Sequence, residues 1–261
     1  MKSSKKLKEC FVRMIDTHAH LNIPLFDNSL QEIINKSKQC GVKGIVVASS
    51  NLQETLKGLE IADKYSGYLY PTAGIHPQKT DPENDMFFKH QLQELEKLIC
   101  NNRQIIAVGE CGLDDSEPPP GEFKRSLVKQ KELFINQLRI AMEYDLPVII
   151  HARGVVDQVI EIVEKEINKV GLRLNGVFHC YAGGKSRIDK VLNLPGQWYF
   201  GIDGNVTYDQ GLQNVVKEIP KKRLLLETDT PYLAPEPHHG KTNTPANLPL
   251  IAKQVAQIWE S

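Results

Sequence analysis

The sequence predicts a single-domain α/β fold, a (β/α)8 barrel of the TIM type. Short β-branched runs alternate with amphipathic helical stretches eight times, which implies parallel βαβ units. Eight such units in 261 residues fit the length of a closed barrel. No Gly-x-Gly-x-x-Gly follows the first strand, which counts against the alternative, an open doubly wound sheet. No composition shift marks a second domain. Residues 1–11 read as a basic tail and residues 12–261 as the barrel.

Phe11 to Ile15 is an apolar run that reads as a buried first strand, continuing into Asp16-Thr17-His18-Ala19-His20. Ser29 to Gly41 reads as a helix, with Ser29 and Glu32 spaced as a capping box and Gly41 as its C-terminal cap. Lys43 to Ser49 is a β-branched second strand, followed by a helix over 52–65. Leu69 to Pro77 is the third strand, although Pro71 removes a ladder donor. A helix over 90–100 leads to the fourth strand, Gln104 to Glu110. Three consecutive prolines forbid helix or ladder in the loop Asp114 to Gly121. A long amphipathic helix over 123–144 precedes the fifth strand, Leu146 to His151. A helix over 155–170, a sixth strand Asn175 to His179 and a short helix over 185–192 follow. Trp198 to Ile202 is the seventh strand, and a helix over 210–218 leads to the eighth, Arg223 to Asp229. The Pro-, His- and Gly-rich stretch 231–245 is a loop, and a last helix opens near Ala246.

Composition narrows the function classes. Thirty-two basic residues balance thirty-two acidic ones, which argues against broad coating of nucleic acid but not against a local basic cleft. Five cysteines, with no Cys-x-x-Cys pair, argue against a disulfide framework or a Cys-only zinc site. They fit a reducing, cytoplasmic compartment, or the nucleus of a eukaryotic cell. The basic start, Met1 to Lys8, lacks the apolar stretch of a secretion signal. No run approaches the ~18 apolar residues of a membrane span, so no membrane partner is expected. A monomer is the expected state.

The chemistry sits at strand ends. His18 and His20 are two residues apart, so on a continuing strand both imidazoles point to one side with Ala19 opposite. The third strand ends on His76, the fourth on Glu110, the fifth on His151, the sixth on His179 and the eighth on Asp229. In a barrel these ends meet at one C-terminal mouth. A lone strand-end histidine is usually structural, and a lone carboxylate often caps the next helix. Ligand types ending five separate strands in register point instead to a metal site. His18, His20, His151, His179, Glu110 and Asp229 are too many donors for one tetrahedral ion. They suit two divalent ions about 3.5–4 Å apart, with Glu110 as bridge and a shared water between. Mixed imidazole and carboxylate donors accept zinc, manganese or magnesium. Arg153, two residues past His151, is a candidate phosphate clamp, and Lys241 a candidate point charge on the same group. His76 is a candidate for positioning substrate. Tyr181 and Tyr232 flank the mouth as candidate stacking surfaces.

Six stretches occur in colinear order from Ile15 to Leu233: Ile15-Asp16-Thr17-His18-Ala19-His20-Leu21, Gly74-Ile75-His76-Pro77, Val108-Gly109-Glu110-Cys111-Gly112-Leu113-Asp114, Leu146 to Arg153, His179-Cys180-Tyr181 and Leu225 to Leu233. The ordered set resembles the TatD-type metal-dependent deoxyribonuclease family, within the metal-dependent hydrolase barrels. The resemblance implies that His18, His20 and Asp229 hold one metal with bridging Glu110, and that His151 and His179 hold the second. It implies that Asp229 takes the proton from the attacking water, which suits a carboxylate in that place. The expected activity is phosphodiester hydrolysis on DNA, as an exonuclease on single strands or ends. Family members often carry an aromatic and an arginine where Asp115-Ser116-Glu117 stands here, and Arg-Gly-Lys where this chain has His239-Gly240-Lys241. They would also be expected to continue one helix beyond Ser261. The alternative is a metal-dependent amidohydrolase or esterase acting on a small or aminoacyl substrate. Glu110 leans against it, because many amidohydrolase relatives bridge their metals with a modified lysine on this strand. A non-enzymatic metal-binding scaffold is disfavoured, since every ligand and the base are present.

Overall fold

The first strand, β1, is Met14–Ala19, and seven more follow it in a computed structural model that describes residues 13–79, 85–117 and 125–260. They are β2 (Val42–Val47), β3 (Leu69–Pro71), β4 (Val108–Asp114), β5 (Val148–Arg153), β6 (Gly176–Phe178), β7 (Trp198–Ile202) and β8 (Leu224–Leu226). The helices after them are α1 (Leu30–Gln39), α2 (Leu52–Lys64), α3 (Asp85–Asn101), α4 (Leu127–Glu143), α5 (Val156–Val170), α6 (Ile188–Leu192), α7 (Gln210–Glu218) and α8 (Leu248–Glu260). The expected tail over 1–11 and the three prolines of the loop after β4 lie outside the described residues. Among the described residues no helix is long and apolar enough to cross a membrane.

The strands pair in parallel, in chain order, as β1-β2-β3 and β4-β5-β6-β7-β8. Backbone hydrogen bonds outside the ladders join the two sets into a ring. Ile106 N–H donates to the Pro71 carbonyl at 3.0 Å, and Gly109 N–H to the Ala73 carbonyl at 2.8 Å. On the other side Asp229 N–H donates to the His18 carbonyl at 2.9 Å, and His20 N–H to the Thr230 carbonyl at 2.8 Å. The sheet therefore closes, and the open-sheet alternative is excluded. Inside the ring Ala107, Ile149 and Val177 are buried against Val46, Tyr199 and Leu225, a floor of apolar side chains below the mouth. The larger core faces outward to the helices, through Ile45, Leu69, Val148, Phe178 and Phe200 among others.

Local chemistry departs from expectation at three places. Ser29 is the N-cap of α1 but its side chain makes no capping bond. A variant of the box forms instead at α2, where Asn51 accepts from Glu54 N–H at 2.9 Å and the Glu54 carboxylate accepts from the N–H of Ser50, one residue ahead of the N-cap, at 2.8 Å. Strand β3 stops at Pro71, and His76 lies in the loop beyond it, its N–H donating to the Ser50 carbonyl at 2.9 Å. Strand β4 begins at Val108 and runs to Asp114, with every residue buried. Val-Gly-Glu-Cys-Gly-Leu-Asp is a poor strand by propensity, and close pairing with β5 decides its conformation.

That pairing needs glycine. Gly112 has φ +147°, and a Cβ there would collide with the His151 carbonyl oxygen. Gly112→Ala is expected to destabilise the fold by about 2–3 kcal/mol through strain and collision. Calorimetry should then show a melting temperature lower by roughly 5–10 °C.

Candidate metal centre and active site

β1 carries Asp16, His18 and His20 into the barrel. Asp16 is fully buried and accepts hydrogen bonds from Thr228 N–H at 2.9 Å and Thr228 Oγ1–H at 2.6 Å. That brace fixes β1 against the segment leading to Asp229, and burial raises the Asp16 pKa to about 7. β4 supplies Glu110 mid-strand, not at its end, and β5 supplies His151 two residues before its last residue. His179 follows β6 directly, and Asp229 lies three residues past β8. Asp229 (φ +52°) and Cys180 (φ +43°) both adopt left-handed backbone, which L-residues pay for in strain. The strain sits at the mouth, where it aims Asp229 inward.

Glu110 is the centre of the arrangement. Its Oε2 faces His18 Nε2 at 3.5 Å and His20 Nε2 at 3.4 Å. Asp229 Oδ1 lies 3.6 and 3.5 Å from the same two nitrogens, which are 3.2 Å from each other. Its other oxygen, Oε1, lies 2.8 Å from His151 Nδ1 and 2.8 Å from His179 Nε2, themselves 3.2 Å apart. One carboxylate thus faces two donor sets. Four tetrahedral donors each about 2.1 Å from a zinc-sized ion stand about 3.4 Å from one another. The five distances given for the first set, 3.2–3.6 Å, are close to that edge. The second is tighter, offers three donors and opens on the cavity. The first set therefore fits a divalent cation, and the second, whose 2.8 Å contacts are of hydrogen-bond length, offers ligand types for another.

The protonation pattern of the two sets is mixed: His18 is lowered, whereas His20, His151 and His179 are raised because the carboxylates they face outweigh burial. Burial, then the neighbouring His179 charge, pushes His18 down to about 4, which leaves its nitrogen lone pair free for a cation. Burial alone would raise Glu110, but His179 and His76 and the hydrogen bonds from His151 and His179 hold it well below the usual carboxylate range. Burial opposes a charge on His179, and the Glu110 carboxylate outweighs it, so His179 is raised. His18 Nδ1 and His179 Nδ1 are buried with no hydrogen-bond partner among the described residues. Gln78 N–H donates to His76 Nδ1 at 3.1 Å, which puts the proton of a neutral His76 on Nε2. That Nε2 stands 3.4 Å from Glu110 Oε1 and is aimed into the mouth as a donor.

A cavity of about 830 Å³ opens above these groups, with Glu110, His151, His179 and Asp229 in its wall and Lys79, Glu117 and Arg153 also lining it. Arg153 is exposed there and has no ion pair among the described residues. Lys241 is exposed in the loop after β8 and does not line the cavity. Tyr181 corrects the expectation of a second mouth aromatic. It is only 3 % exposed, with its ring edge-on to Phe200 at 4.7 Å and its hydroxyl donating to the Gly184 carbonyl at 3.0 Å. Tyr232 does stand at the rim, 57 % exposed.

Three carboxylates escaped the ligand set read from the sequence. Asp114 Oδ2 accepts from His151 Nε2–H at 3.1 Å, which turns Nδ1 toward Glu110. Asp16 braces the strand of His18. Glu227 is fully buried, accepts from Cys180 N–H at 2.5 Å and lies 3.9 Å from His179 Nδ1. Burial raises Glu227 to about 8. The signal was even spacing from a ligand: Asp16 to His18, Asp114 to Glu110, Glu227 to Asp229. Partners behind metal-binding imidazoles are worth about 10–100-fold in affinity. Asp114→Asn is accordingly expected to weaken manganese or zinc binding by about that factor in isothermal titration calorimetry, with the melting temperature little changed.

Fold and site together define a metal-dependent hydrolase barrel. Residues 15–261 match the family model described as TatD related DNase, and the chain belongs to that family. It is 33 % identical over 252 residues to the Bacillus subtilis protein named "Uncharacterized metal-dependent hydrolase YabD", covering 95 % of this chain and 91 % of that one. It is 31 % identical over 254 residues to the "3'-5' ssDNA/RNA exonuclease TatD" of Pectobacterium carotovorum, covering 94 % and 91 %. Among solved structures it superposes on YJJV, a TatD homologue of Escherichia coli, with TM-score 0.81 at 26 % identity over 94 % of this chain and 90 % of that one. A TatD family hydrolase from Entamoeba histolytica gives TM-score 0.79, also at 26 % identity, over 95 % and 92 %.

Proposed function

We propose that this hydrolase cleaves phosphodiester bonds of DNA as an exonuclease on single strands or strand ends, with two divalent cations flanking Glu110. The observation that carries the reading is the pair of donor sets, one at each Glu110 oxygen. His18, His20, Asp229 and Oε2 of Glu110 hold one ion in this reading, and His151, His179 and Oε1 hold the other. Magnesium, zinc and manganese all suit such mixed donors. Bound there, the cations supply Lewis acidity to phosphate oxygens and a water-derived nucleophile at neutral pH. Asp229 accepts the proton of the attacking water. His76 donates its Nε2–H to a phosphate oxygen, and Arg153 clamps the phosphate with its planar fork. Lys241 receives no role, because it stands away from the cavity wall.

The name of the Pectobacterium relative supports a nucleic-acid substrate, RNA included. All six ligand candidates come from one chain, so a monomer suffices. The free cysteines suit a reducing, cytoplasmic setting. The test is digestion of end-labelled single-stranded DNA with added manganese or magnesium. Shortened products from the wild type, absent from an Asp229→Asn control, are expected. No products above that control would remove the reading, and turnover of a small amide or aminoacyl ester instead would favour the amidohydrolase alternative.

A further inference from the structure

We propose that the β7–β8 side of the mouth is a stacking subsite for unpaired nucleobases, with Tyr232 as its ring; the proposal rests on the nuclease reading above. Tyr232 lines the cavity with its ring centroid 6.0 Å from that of His20, beside the first donor set. A tyrosine that is 57 % exposed contributes little to the core, and its hydroxyl makes no hydrogen bond among the described residues. The backbone that carries the ring is nonetheless held in place. Tyr232 N–H donates to the Asp229 carbonyl at 2.7 Å, and Asn243 N–H donates to the Pro231 carbonyl at 2.9 Å. Asn243 Nδ2 also donates to the Thr228 carbonyl at 2.7 Å, tying the loop to the segment that carries Asp229.

Behind this wall, outside the cavity lining, a second aromatic pair braces it. Asn205 lines the cavity, and Tyr208 reaches its side chain from the next turn. The Tyr208 ring stacks on His239 at 4.2 Å and 28°. Both faces of this wall are bound together: Glu236 N–H donates to Thr207 Oγ1 at 2.8 Å, and Gly204 packs so closely on the Leu233 carbonyl that a Cβ would collide. Exposed rings on a fixed backbone, beside a site that handles phosphodiesters, are what sequence-tolerant single-strand binding uses. A paired base, stacked inside a duplex, cannot present its face to such a rim. Tyr232 therefore takes the base nearest the cleaved bond.

The experiment compares wild type, Tyr232→Ala and Tyr232→Phe on two single-stranded oligonucleotides of equal length. One carries normal terminal nucleotides and the other has terminal residues bearing hydrogen in place of the base. Base stacking of this kind implies a rise in KM of about 5- to 150-fold for Tyr232→Ala on the normal oligonucleotide. Its kcat should change much less, and Tyr232→Phe, which keeps the ring face, should retain the wild-type KM. On the baseless ends wild type and Tyr232→Ala should converge. A KM for Tyr232→Ala within twofold of wild type on the normal oligonucleotide, or an equal rise on both substrates, overturns the stacking subsite alone. A wild-type enzyme inert on every oligonucleotide overturns the nuclease reading and this proposal with it.

Discussion

Asp229→Asn is expected to lower kcat on single-stranded DNA by about a hundred- to ten-thousand-fold, the usual contribution of a positioned general base. An amide in the Asp229 position cannot take the proton of the attacking water, although its oxygen can still face His18 and His20. The substitution is a clean one for a backbone reason. Asp229 sits at φ +52°, and asparagine tolerates that left-handed region as readily as aspartate does. Circular dichroism and the melting temperature should therefore match wild type, so that the loss reads on chemistry and not on folding. An Asp229→Asn enzyme that keeps more than a tenth of wild-type kcat would assign the base elsewhere.

Glu110→Gln is expected to be damaging in another way, because it strikes both donor sets with one atom. The carboxylate has an oxygen for each set. Glutamine keeps one oxygen and turns an NH2 toward the other pair of imidazoles, where no cation can approach. Metal analysis after gel filtration should fall from about two ions per chain to one or fewer. Lewis-acid stabilisation is worth several kcal/mol, so activity should drop by about three orders of magnitude. Full metal content in Glu110→Gln would mean that the carboxylate does not bridge.

Much of this was legible in the sequence, for a physical reason. Parallel strands buried on both faces leave dense β-branched runs such as Gly44-Ile45-Val46-Val47, and parallel order sends every strand end to one mouth. His18, His20, His151, His179 and Asp229 could be gathered there on paper because βαβ topology fixes direction before any coordinate does. Boundaries were less legible where tertiary contacts override propensity. Strand β4 is built on two glycines and reads weakly as a strand, and its true span exists because β5 pairs with it. Pro71 ends β3 early and leaves His76 in a loop, where a backbone N–H from Gln78 sets its tautomer. Asp114, Asp16 and Glu227 were hidden because they act on ligands through space. Tyr181 and Tyr232 looked alike in sequence, yet one fills the core against Phe200 and the other stands in solvent. Nothing local to either residue distinguishes them; the packing of β7 does.

The most direct measurement is anomalous diffraction from a crystal of the wild-type protein equilibrated with manganese. Two peaks about 3.5–4 Å apart, one on each side of Glu110 and enclosed by His18, His20 and Asp229 on one side and His151 and His179 on the other, are expected. A single peak, or peaks bound away from Glu110, would contradict the paired centre.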